Sequence, residues 1–100
     1  MPNDRLQRYR KSIDNIDTAL ICLLAERFKI TSDVSYYKAE KQLPPADLAR
    51  EAEQAKRLRQ LAESTGLNPD FAERFLRMVI EEATQHHRLI KDEMEKSWSN

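Results

Sequence analysis

The chain has 100 residues, which suits one domain spanning 1–100, and 40% of them are apolar, enough for a core. Gly occurs once and Pro four times in a chain rich in Ala, Leu, Glu, Lys, Arg and Gln, so the composition favours helix and an all-α fold. Lys plus Arg and Asp plus Glu balance at 17 each, which excludes a global field that would draw in nucleic acid; an anion site has to be a local cluster.

The first predicted helix covers about 5–41 and is stopped by "QLPPAD" (42–47), because a residue before proline avoids the α region and proline cannot continue a helix. At 1.5 Å per residue it is ~54 Å long, far more than the diameter of a compact domain with a radius of gyration near ~13 Å. Alternating steps of three and four give the row Ile13, Ile16, Leu20, Leu23, Arg27, Ile30, Val34, Lys38. Six of these positions suit a buried coiled-coil seam and two carry full positive charges. A helix this long leaves Ile13, Ile16, Leu20 and Leu23 bare unless a second copy covers them, so an entwined or side-by-side helical homodimer is expected.

The second helix, about 48–64, carries a short stripe of Ala55, Leu58 and Ala62 that extends back to Glu51 and, a turn earlier, to Asp47. "TGLNPD" (65–70) closes it with Gly66 as a left-handed cap, then opens the third helix, about 69–96, with Asn68 as N-cap and Pro69 as first residue. Its inward row is Leu76, Ile80, Ala83, His87, Ile90, Met94, interrupted by His87 as the first row is by Arg27.

Each of these ionisable residues has a structural reading of its own. Arg27 can snorkel to the core's rim or pair with the partner's Glu26, and Lys38 suits a helix C-terminus. Asp47 suits an N-cap, Glu51 a first helical turn, and His87 a hydrogen-bonded core position. Together, two cations, a carboxylate and a histidine converging from three helices describe a polar pocket in a bundle, and the excess of cations points to an anionic ligand. Arg27 and Lys38, eleven residues apart, lie within about 20° of each other around the helix.

Other chemistries fit poorly. Adjacent His86 and His87 diverge by about 100° and cannot share a metal, and one cysteine with no HxxxH or CxxC spacing argues against a metal site. A glycine-rich phosphate loop and a GxSxG elbow are both missing. Arg5, Arg8, Arg10 and Lys11 make a basic start without a recognition-helix signature, so no nucleic-acid partner is expected. The apolar runs are too short to span a membrane, "MPNDRLQRYRK" does not read as a signal peptide, and a lone Cys22 suits a reducing compartment; the expectation is a cytoplasmic protein.

Three segments resemble a known family: "YRKSIDNIDTALICLLAER" (9–27), "VSYYKAEKQLPPADLARE" (34–51) and "GLNPDFAERFLRMVIEEA" (66–83). The pattern R–x–x–I–D–x–I–D–x–x–L–x–x–L–L–x–x–R, then V–x–x–x–K and D–x–x–R–E, is similar to that of the all-helical chorismate mutases. The resemblance implies an entwined dimer with two equivalent sites, each receiving one arginine across the interface. By that resemblance Arg10 is the donated arginine, Arg27 and Lys38 are the main-site cations, and Asp47, Arg50 and Glu51 come from the loop and second helix. Periodicity agrees on one point: Arg10 lies about 100° around the helix from Arg27, so the two do not readily serve one site from one chain.

The implied reaction is the one-step Claisen rearrangement of chorismate, a dicarboxylate, to prephenate, which feeds phenylalanine and tyrosine synthesis. It uses no cofactor, metal, nucleophile or general base. The site supplies a compact substrate conformation and stabilises charge developing on the ether oxygen. Arg10 and Arg27 suit the carboxylates, Lys38 the ether oxygen and Glu51 the hydroxyl. Two positions depart from the pattern: Ala83 stands where many relatives have serine, and His87 where many have a glutamine that donates to the ether oxygen. From the second we expect turnover to fall as pH rises through the His87 pKa.

The neighbouring reading in the same fold is isochorismate pyruvate-lyase, from which Glu51 in "ARE" (49–51) leans away. A reading from another class is a non-catalytic helical dimer acting as a partner of another enzyme. The full cation set leans against that, since unpaired buried charge is costly without a ligand. The chain's length leaves no room for a fused second enzyme, so a monofunctional mutase is expected.

Overall fold

A computed structural model describes residues 2–98 of the chain, and side chains over 4–97. Three helices appear in order, α1 (Pro2–Glu40), α2 (Leu48–Thr65) and α3 (Pro69–Trp98), with no strand among the described residues. The fold is all-α as composition predicts, and the helix ends lie within three residues of the sequence expectation.

The helix ends follow local chemistry. Asp47 caps α2 by accepting a hydrogen bond from the Arg50 N–H at 3.0 Å, and Asn68 opens α3 by accepting from the Asp70 N–H at 2.9 Å. Gly66, at φ +80°, ends α2 in the left-handed region, and the N–H groups of Gly66 and Leu67 both donate to the Ala62 carbonyl. The end of α1 uses the same device without a glycine: Gln42 sits at φ +57°, and the Leu43 N–H donates to the Lys38 carbonyl at 2.8 Å.

The chain divides into two compact units, one up to Thr31 and one from Ser32 onward. In the first, no described residue is buried; Leu24, Arg27, Phe28 and Thr31 are half-buried. Its large apolar side chains stand in solvent, including Leu6, Tyr9, Ile13, Ile16, Leu20, Leu23 and Ile30. The lone Cys22 is exposed as well.

In the second unit α2 packs on α3. The core is Ala62 of α2 with Ala72, Leu76, Val79 and Ile90 of α3, joined by buried Ser35 and His87. The predicted α3 row holds closely: Leu76, His87 and Ile90 are buried, and Ile80, Ala83 and Met94 are half-buried. The predicted α1 row fares differently at its end, because Val34 is exposed. The sheltered face there is Ser32, Ser35, Lys38 and Ala39, of which only Lys38 belongs to the predicted row. Ala39 apart, that face is polar, so an apolar-periodicity walk does not find it.

Across the top of the unit, Arg59 of α2 pairs with Asp70 at 3.0 Å and Glu73 at 3.7 Å, and Glu73 also pairs with Arg77 at 3.1 Å. No described helix is long and apolar enough to cross a membrane.

Candidate functional site

The polar face at the end of α1 and the buried row of α3 meet around His87. The ring is 5% exposed, the least accessible ionisable side chain described. Its pKa lies below the usual 6.5, first because burial penalises the imidazolium, then because the ammonium groups of Lys38 and Lys91 repel a third positive charge. Two cations from two helices thus act on one buried imidazole. Lys91 lies one turn after His87 on α3 and outside its apolar row, so apolar periodicity does not single it out.

Lys38 is half-buried, and its ammonium donates to the Pro45 carbonyl at 3.3 Å. This links the end of α1 to the loop in which "LPPAD" delivers Asp47. The loop's two prolines fix their own φ angles, so the carbonyl that Lys38 grips is held in place.

On α2, Asp47 is exposed and occupied as a cap, and Arg50 is exposed and paired with Glu53 at 3.1 Å. Glu51 is half-buried and lines a cavity of about 560 Å³ between α2 and α3, together with Ala55, Leu76, Ile80 and Thr84. Lys38, Ala83 and His87 do not line it. Ala83 is half-buried and offers no polar group. The neighbouring Thr84 hydroxyl donates to the Ile80 carbonyl at 2.9 Å.

The two arginines belong to the other unit. Arg10 is exposed and Arg27 half-buried. Glu26 pairs with Lys29 on the helix surface at 2.9 Å. The second unit therefore brings Lys38 and His87 together, and sets Glu51 on the α2 face that turns to α3.

His86, adjacent to His87, points elsewhere and forms a hydrogen bond with Ser32 of α1 at 3.2 Å between Nε2 and Oγ. The two rings therefore do not converge, as their spacing predicts. No group of three metal-ligating side chains occurs among the described residues.

The sequence profile of the family described as chorismate mutase type II matches residues 9–88. A T-protein of Enterobacter agglomerans is 37% identical over 78 residues, covering 78% of this chain and 21% of that protein. A bifunctional chorismate mutase/prephenate dehydratase of Buchnera aphidicola is 32% identical over 81 residues, covering 81% of this chain and 21% of that protein. A chorismate mutase of Methanocaldococcus jannaschii is 30% identical over 78 residues, covering 78% of this chain and 79% of that protein. The chain thus spans about a fifth of the length of the first two relatives and most of the third.

Proposed function

The chain belongs to the chorismate mutase type II family, and from that premise we propose that it rearranges chorismate to prephenate for phenylalanine and tyrosine synthesis in the cytoplasm. The observation that carries the reading is the buried His87 imidazole held beside the Lys38 and Lys91 ammonium groups. Such a concentration of positive charge around a neutral ring is poised for an anion that brings negative charge with it. A dicarboxylate does so.

In this reading no residue forms a bond to the substrate. Arg27 and the partner's Arg10 hold the two carboxylates and fold the substrate into its reactive shape. Lys38 and the His87 N–H donate to the ether oxygen, where charge builds as the C–O bond breaks. Glu51 accepts from the substrate hydroxyl, while Asp47 and Arg50 hold the entrance of α2 in place beside it. An entwined homodimer completes the site, because Arg10 must arrive from a second copy. The exposed apolar row on the first unit supports that assembly.

The first test is incubation of the purified protein with chorismate and, separately, isochorismate, with products separated by chromatography. Prephenate from chorismate, lost in Arg27→Ala, is the expected result. Salicylate and pyruvate from isochorismate alone would make the protein a lyase; turnover of neither would leave a non-catalytic dimer. Donation across the dimer has its own test. Arg10→Ala and Arg27→Ala chains are each expected to be inactive, yet mixing them generates heterodimers with one intact site. Random mixing then returns about a quarter of full activity, whereas two arginines from one chain return none.

A further inference from the structure

We propose that Ser32 and His86 are a positioning pair, whose hydrogen bond sets the roll of α3 against the end of α1 and so aims His87 at the substrate. The proposal rests on the reading of His87 and Lys38 as substrate contacts.

Ser32 is half-buried on the same sheltered face of α1 as Ser35 and Lys38, and its hydroxyl meets His86 Nε2 at 3.2 Å across 54 residues of sequence. His86 and His87 are neighbours on α3, so their side chains leave the axis about 100° apart. Holding one ring in place therefore fixes the direction of the other. The lever is sensitive: a 20° roll carries a side-chain tip, roughly 6 Å from the axis, through about 2 Å. Displacements of that order at a reacting centre are costly, because catalysis by positioning depends on near-attack geometry.

The apolar packing of α3 is against α2, through Leu76 and Val79, a turn or more before His86 and His87. The α1 face here presents Ser32, Ser35, Lys38 and Ala39, which offer little shape for α3 to interlock with. A directional bond supplies what packing lacks. A serine hydroxyl both donates and accepts, so it meets Nε2 whichever ring nitrogen carries the proton. The charged groups that bias His87 are Lys38 of α1 and Lys91 of α3, and α2 presents Glu51 on its face towards α3.

The test follows the His87 ring by imidazole ¹H–¹⁵N NMR titration, and kcat and KM with chorismate. The variants are Ser32→Ala, His86→Leu, their combination, and two that keep a hydrogen-bonding group, Ser32→Thr and His86→Gln. Loss of the bond lets His87 turn away from Lys38 and towards water, so its midpoint is expected to rise towards the ordinary 6.5. kcat is expected to fall about 3- to 10-fold, the scale of one hydrogen bond, with KM changed less than about two-fold. The double variant should match either single loss, and Ser32→Thr and His86→Gln should restore both readouts.

A His87 midpoint that stays in place in both Ser32→Ala and His86→Leu overturns the proposal. That holds even if the melting temperature drops, because the bond would then be a stability contact alone. If the unsubstituted protein converts no chorismate, the titration still decides the pairing, and the fault lies with the proposed reaction.

Discussion

Lowering the pH through the range of His87 separates a charged hydrogen-bond donor from a neutral one. The ring is 5% exposed and flanked by Lys38 and Lys91, and burial followed by these two cations holds its pKa below 6.5. From pH 7 upward the ring is neutral with one N–H left to donate. A neutral donor contributes about 0.5–1.5 kcal/mol net and a charged one about 1.5–3 kcal/mol. Protonation should therefore lower the barrier by roughly 1 kcal/mol, a rise in kcat of about five-fold. In kcat/KM, which reports the free protein, that rise belongs on the acid side of neutrality, with a flat profile from pH 7 to 9. Bound dicarboxylate offsets the two lysines and raises the ring's pKa, so kcat should break at a higher pH than kcat/KM, whose break reports the free protein. The assay is initial rates from pH 5 to 9 for the protein and for His87→Gln, which donates an N–H without titrating and should give a flat profile. A kcat/KM break above pH 6.5 would refute the account of burial and the lysines. A flat profile in the unsubstituted protein would refute a catalytic role for the ring's charge.

The same ring makes a stability prediction. Its folded pKa lies below the 6.5 of an unfolded chain, so folding expels a proton. Stability is then full above pH 6.5 and declines as pH falls through the folded pKa, by about 1.4 kcal/mol for each unit of depression. Urea midpoints at pH 5 and pH 8 read this directly, and His87→Gln should remove that part of the difference.

The two left-handed helix ends give an opposed pair. Gln42→Gly should stabilise by about 0.5–1 kcal/mol, because glycine holds φ +57° without a Cβ penalty. Gly66→Ala should cost about 1 kcal/mol through backbone strain alone, since an added Cβ there meets open space; thermal melts resolve shifts of this size. Asp47→Ala removes the α2 cap, costing about 1 kcal/mol in denaturant unfolding, and should also raise KM by loosening the start of the helix that carries Glu51. Arg59→Ala should cost no more than about 1 kcal/mol, and the loss should shrink in high salt, because Asp70 is largely exposed and only Glu73 is sheltered.

The helix boundaries were legible because punctuation and chemistry coincide: two prolines after Gln42, an Asp cap, one glycine and an Asn–Pro start. The α3 face was legible as well, since Leu76, Ile80, Ile90 and Met94 keep an apolar period through His87. The α1 face after Thr31 was not. Apolar periodicity pointed to Val34, yet Ser35 is buried and Val34 exposed. A polar face built for hydrogen bonding and charge leaves no hydrophobic period. Lys91 and the Ser32–His86 bond escaped for a related reason: each needs the angle between two helices, and one helix's sequence does not encode that angle. Lys38 and His87, by contrast, announced themselves by interrupting apolar rows.

Counting back from Ile13 in the same steps of four and three reaches Tyr9 and Leu6, so the apolar row runs Leu6, Tyr9, Ile13, Ile16, Leu20, Leu23 before Arg27 breaks it. All six apolar positions are exposed, and covering about half of each would yield roughly 1 kcal/mol apiece. Several kcal/mol is a large share of what holds a domain of this size together. Arg10 lies beside Tyr9 at the start of that row. In the proposed dimer, the association that shelters the row would also deliver Arg10 to the second copy's site, so folding and site completion become one equilibrium. Dilution should then lower helicity and turnover with the same midpoint. Turnover falling at a concentration where helicity holds would separate the two and show that the seam closes without Arg10.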